Sequence, residues 1–201
     1  MMVTRRVALR ELTDTDLPTV YRWRNTPSFR SYIMSYDDKV SFEEFCGQMR
    51  RSGLHRPHRF MVDHRVTGRP IGFTYARDHA GDGSSCFLNI YIEDAFVGLG
   101  YGVDIFALMT LFLLREVRAQ SVYVDVFAYN TKSLAAMWGA GFREIEAHGE
   151  TRDHDGAAYP IHRFEISEVN LPKIEATLTA LSSSRSSDGR ESPTDARSAV
   201  S

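Results

Sequence analysis

The chain has 201 residues, a formal net charge of −2 and a hydrophobic fraction of 43%, which together suit one domain with a core of its own. This charge gives no basic footprint for nucleic acid, and the longest apolar run, residues 105–114, is too short to cross a membrane. The N-terminus lacks the apolar stretch of a secretory signal, and Cys46 and Cys86 stand at no metal-ligand spacing. We therefore expect a cytoplasmic protein with reduced thiols and no bound metal.

The first part of the chain predicts a strand, three helices and a hairpin. A helix begins near Thr15, because Pro18 is tolerated only in the first turn. Ser41 and Glu44, three residues apart, form a capping box that begins another helix. In chain order the predicted elements are a strand over residues 7–12, helices over 15–25, 28–34 and 41–51, and strands over 59–66 and 71–76.

The second part predicts a strand that leads through a glycine-rich turn into a long apolar helix. Apolar residues on both faces of the strand over 85–92 favour a covered, central position in a sheet. Gly141 has the place of a residue that ends a helix. In chain order the elements are a strand over 85–92, a helix from the turn at 97–102 to about 118, a strand over 122–127, a helix over 130–140, strands over 142–151 and 159–166, and a last helix.

This order of elements indicates an α/β or α+β domain with a central, mixed, twisted sheet flanked by helices. We expect the domain to span residues 1–168 and a C-terminal helix to cover residues 169–181. From residue 182 onward the sequence consists mainly of Ser, Arg, Asp, Gly and Pro. Such a composition cannot bury enough apolar surface to offset the entropy of ordering, so we predict a disordered tail over residues 182–201.

The glycine-rich turn is the segment that indicates chemistry. Gly98, Gly100 and Gly102 alternate between the end of a strand and the start of a helix. Glycines allow successive N–H groups to point inward, and a helix N-terminus adds partial positive charge, so the turn predicts a seat for an anion such as a pyrophosphate. It lacks the Gly-Lys-Ser/Thr of a Walker loop and the spacing of the dinucleotide fingerprint. Tight packing of the strand against the helix is the alternative reading of the same glycines.

Three segments resemble the GNAT superfamily of acyl-CoA-dependent N-acyltransferases. Residues 91–102, YIEDAFVGLGYG, resemble its acetyl-CoA motif, in which Arg/Gln-Gly-x-Gly-x-Gly/Ala begins a helix. Residues 124–142, VDVFAYNTKSLAAMWGAGF, resemble its second motif, a strand followed by Asn-x-x-Ala/Ser and a short helix that ends in Gly-Phe. Near the N-terminus, Trp23-Arg24-Asn25 resembles an element of the branch that includes ribosomal-protein and amino-sugar N-acetyltransferases. The resemblance covers residues 5–168 and implies one GNAT-like domain.

The resemblance implies that acetyl-CoA donates an acyl group directly to the primary amine of a small molecule such as an amino sugar or an antibiotic, or alternatively to a protein N-terminus. Homodimers are common in the family. The turn would hold the pyrophosphate, and the strand before it would pair with the pantetheine arm. The implied cofactor-binding residues are Ile90, Ile92, Val97, Gly98, Leu99, Gly100, Tyr101, Gly102, Asn130, Ser133 and Trp138. The candidate catalytic residues are Asn89, Tyr91 and Trp138, and the candidate substrate-binding residues are Trp23, Arg24, Asn25 and Tyr32.

Three positions depart from the family pattern. Val97 stands where the family usually has Arg or Gln, and Leu99 where it often has Lys, so the turn would hold the pyrophosphate by its backbone donors or with Lys132 or Arg115 as the cation. Trp138 stands where many members carry a tyrosine that protonates the departing thiolate, and an indole N–H has no usable acidity. Two alternatives therefore stay open: a non-catalytic binding or sensor module with this fold, and a transferase whose acyl donor is bound to a carrier protein.

Overall fold

The computed structural model describes residues 1–32, 40–51, 58–79, 81, 83–140, 142–145, 151–154 and 157–183. Within these residues one mixed sheet has helices on both faces, which confirms the predicted α/β class. The strands are β1 (Met2–Val3), β2 (Val7–Glu11), β3 (Arg59–His64), β4 (Pro70–Asp78), β5 (Ser85–Ile92), β6 (Ser121–Phe127), β7 (Arg143–Ile145), β8 (Thr151–His154) and β9 (Ala157–Ser167). The helices are α1 (Leu17–Arg24), α2 (Pro27–Tyr32), α3 (Phe42–Arg51), α4 (Tyr101–Arg115), α5 (Thr131–Gly139) and α6 (Leu171–Ser183).

The strand order of the sheet is β1-β2-β3-β4-β5-β6-β9-β7, and β8 pairs with β9. Among these described pairs β5 and β6 are parallel, and the others are antiparallel. Parallel neighbours need a crossover connection, which α4 provides. The β5–β6 pairing ends at Phe87 and Tyr123, although β5 continues to Ile92 and β6 to Phe127. The two strands therefore diverge and leave a gap between them.

Apolar side chains form one core on each face of the sheet. The first core contains α4, α5 and α6, and the second contains α1, α2 and α3. On β5, Leu88 is buried in the first core, whereas Tyr91 is buried in the second. This alternation explains the apolar residues on both faces of β5, and it confirms the central position predicted for that strand. None of the described helices combines the length and apolar character needed to cross a bilayer.

Side-chain caps determine where two of the predicted helices begin. The Ser41 N–H and hydroxyl both donate to the Glu44 carboxylate, at 2.8 and 2.9 Å, which confirms the predicted capping box of α3. Before α1, the Thr13 N–H donates to Asp16 at 2.9 Å, and Arg10 donates to the same carboxylate. This arrangement stabilises a 3-10 turn over residues 14–16, so α1 begins at residue 17 and not near Thr15.

The end of the chain differs from the predicted pattern. Where one strand over residues 142–151 was predicted, the structure has two short strands, β7 and β8. The short strand β1 was not predicted, because two residues carry no alternation. Helix α6 covers the predicted C-terminal helix, and Ile174 on it is buried in the first core. Gly141, residues 33–34 of the predicted short helix, and the tail from residue 184 lie outside the described residues.

Gly72 of β4 lies against the backbone of β5. A Cβ atom at this position would lie 2.2 Å from the Tyr91 carbonyl oxygen and 3.1 Å from the Ile92 Cα. Both are backbone atoms and cannot rotate away, so we predict that Gly72→Ala lowers the free energy of unfolding by about 3 kcal/mol. The measurement is the midpoint of denaturant unfolding, with far-UV circular dichroism as the signal.

Gly139→Ala is the matched control, because a Cβ atom there would have no neighbour within 4 Å. It should leave stability unchanged or raise it by up to about 1 kcal/mol, since alanine favours a helix more than glycine does. Equal stability of Gly72→Ala and the parent protein would contradict the close approach of β4 to β5.

Candidate active site

The backbone of β5 presents alternate residues to its two neighbours. On the β4 side, the Glu93 N–H donates to the Ile71 carbonyl at 2.8 Å. On the β6 side, the Gln120 N–H donates to the Ser84 carbonyl at 2.8 Å. Because backbone groups alternate in direction along a strand, odd-numbered residues of β5 face β4 and even-numbered residues face β6.

The gap therefore exposes an edge of β5 that carries the backbone groups of Ile90 and Ile92. Both residues direct their N–H and C=O groups toward β6, which no longer pairs with β5 there. Ile90 and Ile92 are the residues that we predicted to contact the pantetheine arm. An extended ligand that carries amides can pair with an edge of this kind in the way that an added strand does.

The turn after β5 has the geometry of an anion seat. Gly98 and Gly100 have φ angles of 86° and 82°, a region that strongly favours glycine, and Gly100 is the N-cap of α4. Within the described part of the chain, the N–H groups of Gly98, Leu99 and Gly100 donate to no backbone carbonyl. With the first N–H groups of α4 they form a cluster of donors at a helix N-terminus. Gly102 lies against the end of β5, since a Cβ atom there would be 3.6 Å from the Ile92 side chain.

A second helix N-terminus lies at the same end of the gap, because α5 follows β6, the parallel neighbour of β5. Asn130 caps α5, and its side-chain oxygen accepts the Ser133 N–H at 3.3 Å. In the first turn of α5, the Lys132 Nζ lies only 3.9 Å from the position of a Cβ atom built on Gly98. Arg115, the other candidate cation, pairs instead with Glu175 of α6. Of the two candidate cations for the pyrophosphate, Lys132 is therefore the one that lies beside the turn.

Val97 and Leu99 are 48% and 57% exposed, so neither side chain is committed to the core. The cation that contacts their turn is Arg6, which we did not identify from the sequence. Arg6 donates to the Leu99 and Gly100 carbonyl oxygens and pairs with Asp104 in the first turn of α4. No local pattern points to this residue, because the contacts join positions more than 90 residues apart.

An open cleft of about 380 Å³ lies beside the end of β5, on the face of the sheet that carries α1 and α2. Its lining residues are Arg22, Trp23, Thr26, Tyr91, Glu93, Asp94 and Ala95. The Asp94 carboxylate accepts a hydrogen bond from the Ser28 hydroxyl at 3.0 Å, and Glu93 pairs with Arg69 at 2.9 Å. Two carboxylates thus lie at a cleft beside the end of β5.

Asn89 and Tyr91, two of the predicted catalytic residues, share the face of β5 that carries this cleft. The Tyr91 ring packs on Phe29 and Trp23 at centroid distances of 5.0 and 5.7 Å, and its hydroxyl is 3.5 Å from Thr26 Oγ1. Burial raises the pKa of the Tyr91 hydroxyl, so this group stays protonated at neutral pH and is not a base. The Asn89 side chain is half-buried.

The predicted substrate-binding residues occupy different places. Trp23 is 2% exposed and belongs to the second core, although it also lines the cleft. Arg24 is buried with its guanidinium 5.9 Å from the Phe45 ring, outside the cleft. The Asn25 side chain donates to the Tyr21 carbonyl at 2.8 Å at the end of α1. Of the three residues that resemble the Trp-x-Asn element, only Trp23 therefore lines the cleft.

Polar and aromatic groups of β6 and α2 lie on the opposite side of the gap and have partners of their own. The exposed Tyr32 ring is 5.9 Å from the Tyr129 ring, and the Tyr129 hydroxyl donates to the Ser31 carbonyl. On β6, both oxygens of Asp125 accept hydrogen bonds from Arg163, at 2.7 and 2.8 Å. Asp125 is therefore a carboxylate whose two oxygens both have a hydrogen-bond partner.

Trp138 lies on the β9 side of β6, whereas the gap lies on the β5 side. The indole N–H donates to Glu144 of β7 at 2.8 Å, and the ring stands 5.6 Å from that of His162 of β9. Hydrogen bonds from His162 and then Trp138 lower the pKa of Glu144. The structure thus places Trp138 away from the gap, although we predicted it as a cofactor-binding and catalytic residue. Consecutive side chains of a helix differ in direction by about 100°. Because Met137 is buried in the first core, the next side chain, Trp138, points in another direction.

The family comparison agrees with this architecture. Residues 6–143 match the family described as "Acetyltransferase (GNAT) domain", and this stretch is more than half of the 201-residue chain. The chain therefore belongs to the GNAT acetyltransferase family. It is an N-acetyltransferase by class, with acetyl-CoA as its acyl donor. No curated protein sequence matches the chain.

Solved acetyltransferases share the fold. The spermidine N-acetyltransferase from Vibrio cholerae, in complex with CoA and spermine, has 19% identity and a TM-score of 0.75, over 83% of this chain and 98% of that one. A dodecameric structure of the Vibrio cholerae enzyme has 20% identity and a TM-score of 0.70, over 81% and 94%. A GNAT acetyltransferase from Bacillus anthracis has 14% identity and a TM-score of 0.69, over 84% and 98%. The branch predicted from Trp23-Arg24-Asn25 has no counterpart in these three structures and stays a prediction.

The packing of Tyr91 predicts the effect of removing its hydroxyl. Tyr91→Phe loses weak hydrogen bonds to Thr26 and Ser28, so stability should fall by about 1 kcal/mol. If the ring only shapes the cleft, kcat should change by less than about threefold. The measurements are thermal unfolding and steady-state kinetics with acetyl-CoA.

Tyr123→Phe is a matched control, because it removes a tyrosine hydroxyl from β6 at a residue outside the lining of the cleft. A fall in kcat of about 100-fold or more for Tyr91→Phe alone, with KM unchanged, would contradict the packing role and show that this hydroxyl takes part in proton transfer.

Proposed function

We propose that this acetyltransferase moves an acetyl group from acetyl-CoA directly to the primary amine of a small molecule, without a covalent enzyme intermediate. The observation that carries the proposal is the open edge of β5 over residues 90–92, which leads into the anion seat at residues 98–102. A ligand that fits both has an amide-containing arm at one end and a pyrophosphate at the other. A CoA thioester has this composition.

The groups at the mouth of the gap fit the donor in spite of Val97 and Leu99. Positive potential comes from the N-termini of α4 and α5 and from the Lys132 ammonium beside Gly98. We assign Asn130 and Ser133, on the α5 side, to contact the pantetheine arm opposite β5. The backbone donors of the turn and Lys132 together would replace the arginine or glutamine that the motif usually carries.

In the proposed reaction the chain supplies position and electrostatic stabilisation, and the bound thioester supplies an activated acyl carbon. The N–H group of Ile90 or Ile92, on the open edge of β5, would donate to the carbonyl oxygen as negative charge develops there. An amine in the cleft beside Tyr91 would approach from the α1 and α2 face, and much of the rate would come from this positioning. The new C–N bond replaces the C–S bond, and the proton lost by the amine passes to water in the open cleft. CoA leaves as a thiolate, which takes a proton from the same water.

Asn89 is the side chain best placed to orient the amine, since it lies on the same face of β5 as Tyr91, two residues away. A neutral amide can accept a hydrogen bond from the amine without holding it in its protonated, unreactive form. We therefore assign Asn89 a positioning role, and we assign Tyr91 and Trp23 to the wall of the cleft.

We propose a small cationic acceptor. Among the described residues, the Ser28 hydroxyl is the hydrogen-bond partner of Asp94 at the cleft, so the charge of this carboxylate would be available to an ammonium group. Amino sugars and antibiotics are the acceptors suggested by the Trp23-Arg24-Asn25 resemblance. Polyamines are suggested by the Vibrio cholerae enzyme, which was solved with spermine. We further propose a cytoplasmic protein that forms a homodimer, as is common in the family.

A transferase that takes its acyl group from a carrier protein is the second candidate. The exposed aliphatic side chains of Val97 and Leu99 favour it, because they stand where the motif usually has groups that bind the nucleotide end of CoA. A phosphopantetheine arm alone would still fit the open edge of β5.

Calorimetric titration with acetyl-CoA, dephospho-CoA and S-acetylpantetheine tests the donor. Acetyl-CoA should bind with a Kd on the order of 10 μM, dephospho-CoA should bind comparably because it keeps the pyrophosphate, and S-acetylpantetheine should bind far more weakly. CoA release is then measured with polyamines, amino sugars and aminoglycosides, and at least one class should support turnover. Turnover only with a carrier-bound acyl group would favour the second candidate, and binding without release across the panel would contradict transfer to a small amine.

A further inference from the structure

Arg6 connects the first strands of the sheet to the glycine-rich turn. It lies just before β2, and its guanidinium reaches the start of α4. We propose that Arg6 is a positioning residue for the donor's pyrophosphate, acting through the backbone of the turn. The proposal rests on the donor site described above, and it extends that site to the N-terminus of the chain.

The hydrogen bonds of Arg6 determine which way two peptide groups face. Arg6 Nη1 donates to the Leu99 carbonyl at 3.2 Å, and Nη2 donates to the Gly100 carbonyl at 3.0 Å. In a trans peptide the N–H points opposite to the C=O, so the Gly100 and Tyr101 N–H groups point away from Arg6. Arg6 thus holds two of the donors of the anion seat in their orientation.

Arg6 also balances the charge beneath the seat. The Asp104 side chain is fully buried in the first turn of α4 and forms an ion pair with Arg6. Its other oxygen accepts a hydrogen bond from the Thr4 hydroxyl at 2.6 Å. A buried carboxylate so near the turn would repel a pyrophosphate, and the paired guanidinium offsets that repulsion.

Glycine at position 100 suits both its backbone conformation and the contact with Arg6. A Cβ atom there would lie 3.2 Å from Arg6 Nη1, and the φ angle of 82° already disfavours other residues. The Arg6 guanidinium further lies 5.5 Å from the Tyr101 ring. Residues 99–101 and 104 therefore all contact this one side chain.

The test compares a ligand that has the pyrophosphate with one that lacks it. Arg6→Gln and Arg6→Lys are made in the full chain, and kcat and KM are measured with one amine and either acetyl-CoA or S-acetylpantetheine as donor. For Arg6→Gln we expect KM for acetyl-CoA to rise about tenfold or more, with kcat at saturation within about threefold. The kcat/KM for S-acetylpantetheine should stay within about threefold of wild type, because that donor does not reach the turn.

Arg6→Lys keeps the charge beside Asp104 but lacks the planar fork that contacts two carbonyls, so it should show a smaller rise in KM for acetyl-CoA. If Arg6→Gln does not fold, the comparison of the two donors is made with Arg6→Lys alone. Arg65→Gln is the matched control. Arg65 donates to the Thr4 carbonyl at 2.6 Å and so supports the same N-terminal segment without contacting the turn. Its KM for acetyl-CoA should stay at the wild-type value.

Unchanged KM for acetyl-CoA in Arg6→Lys and Arg6→Gln would overturn the proposal, as would an equal loss with both donors, which indicates general damage to the fold. Failure of the wild-type protein to bind acetyl-CoA is a different outcome. It would overturn the donor assignment itself and this proposal with it.

Discussion

The separation of β5 from β6 beyond Phe87 and Tyr123 is the constraint on which the rest of the site depends. Because the two strands are parallel, the helices that follow them, α4 and α5, begin at the same end of the sheet. Because the strands then diverge, the edge of β5 remains unpaired below those two N-termini. Each wall of the gap is supported from outside, β5 by the close approach of Gly72 and β6 by the pairing of Asp125 with Arg163 on β9.

The two faces of the sheet suit different substrates of an acetyltransferase, one the acyl donor and the other the amine. The face with α4 and α5 carries the glycine-rich turn, Lys132 and the contacts of Arg6, all of which suit the charged end of a donor. The face with α1 and α2 carries the cleft beside Tyr91, which suits an amine. The edge of β5 is common to both faces. A donor paired with that edge and an amine in the cleft would therefore meet at one strand. Positioning of this kind would favour acetyl transfer even though α5 presents no tyrosine to the gap.

The sequence was informative where the signal was local. Apolar residues on both faces of the strand over 85–92 predicted its central position, and the spacing of Gly98, Gly100 and Gly102 predicted the turn before α4. It failed where the signal depends on distant contacts or on helical phase. Arg6 acts on a turn more than 90 residues away, which no local pattern reveals. Trp138 was assigned from its place in a motif, but the phase of α5 directs it toward β9.

The placement of the donor in the gap is tested most directly by titrating the ¹⁵N-labelled protein with acetyl-CoA and recording the chemical shifts of the backbone amides. We expect the largest changes at the open edge of β5, at Ile90 and Ile92, and in the turn over residues 98–102. Amides of β7 and β9 near Trp138 should change little. Largest changes around Trp138 and Glu144, or no change along the edge of β5 at saturating ligand, would contradict the placement of the donor in the gap.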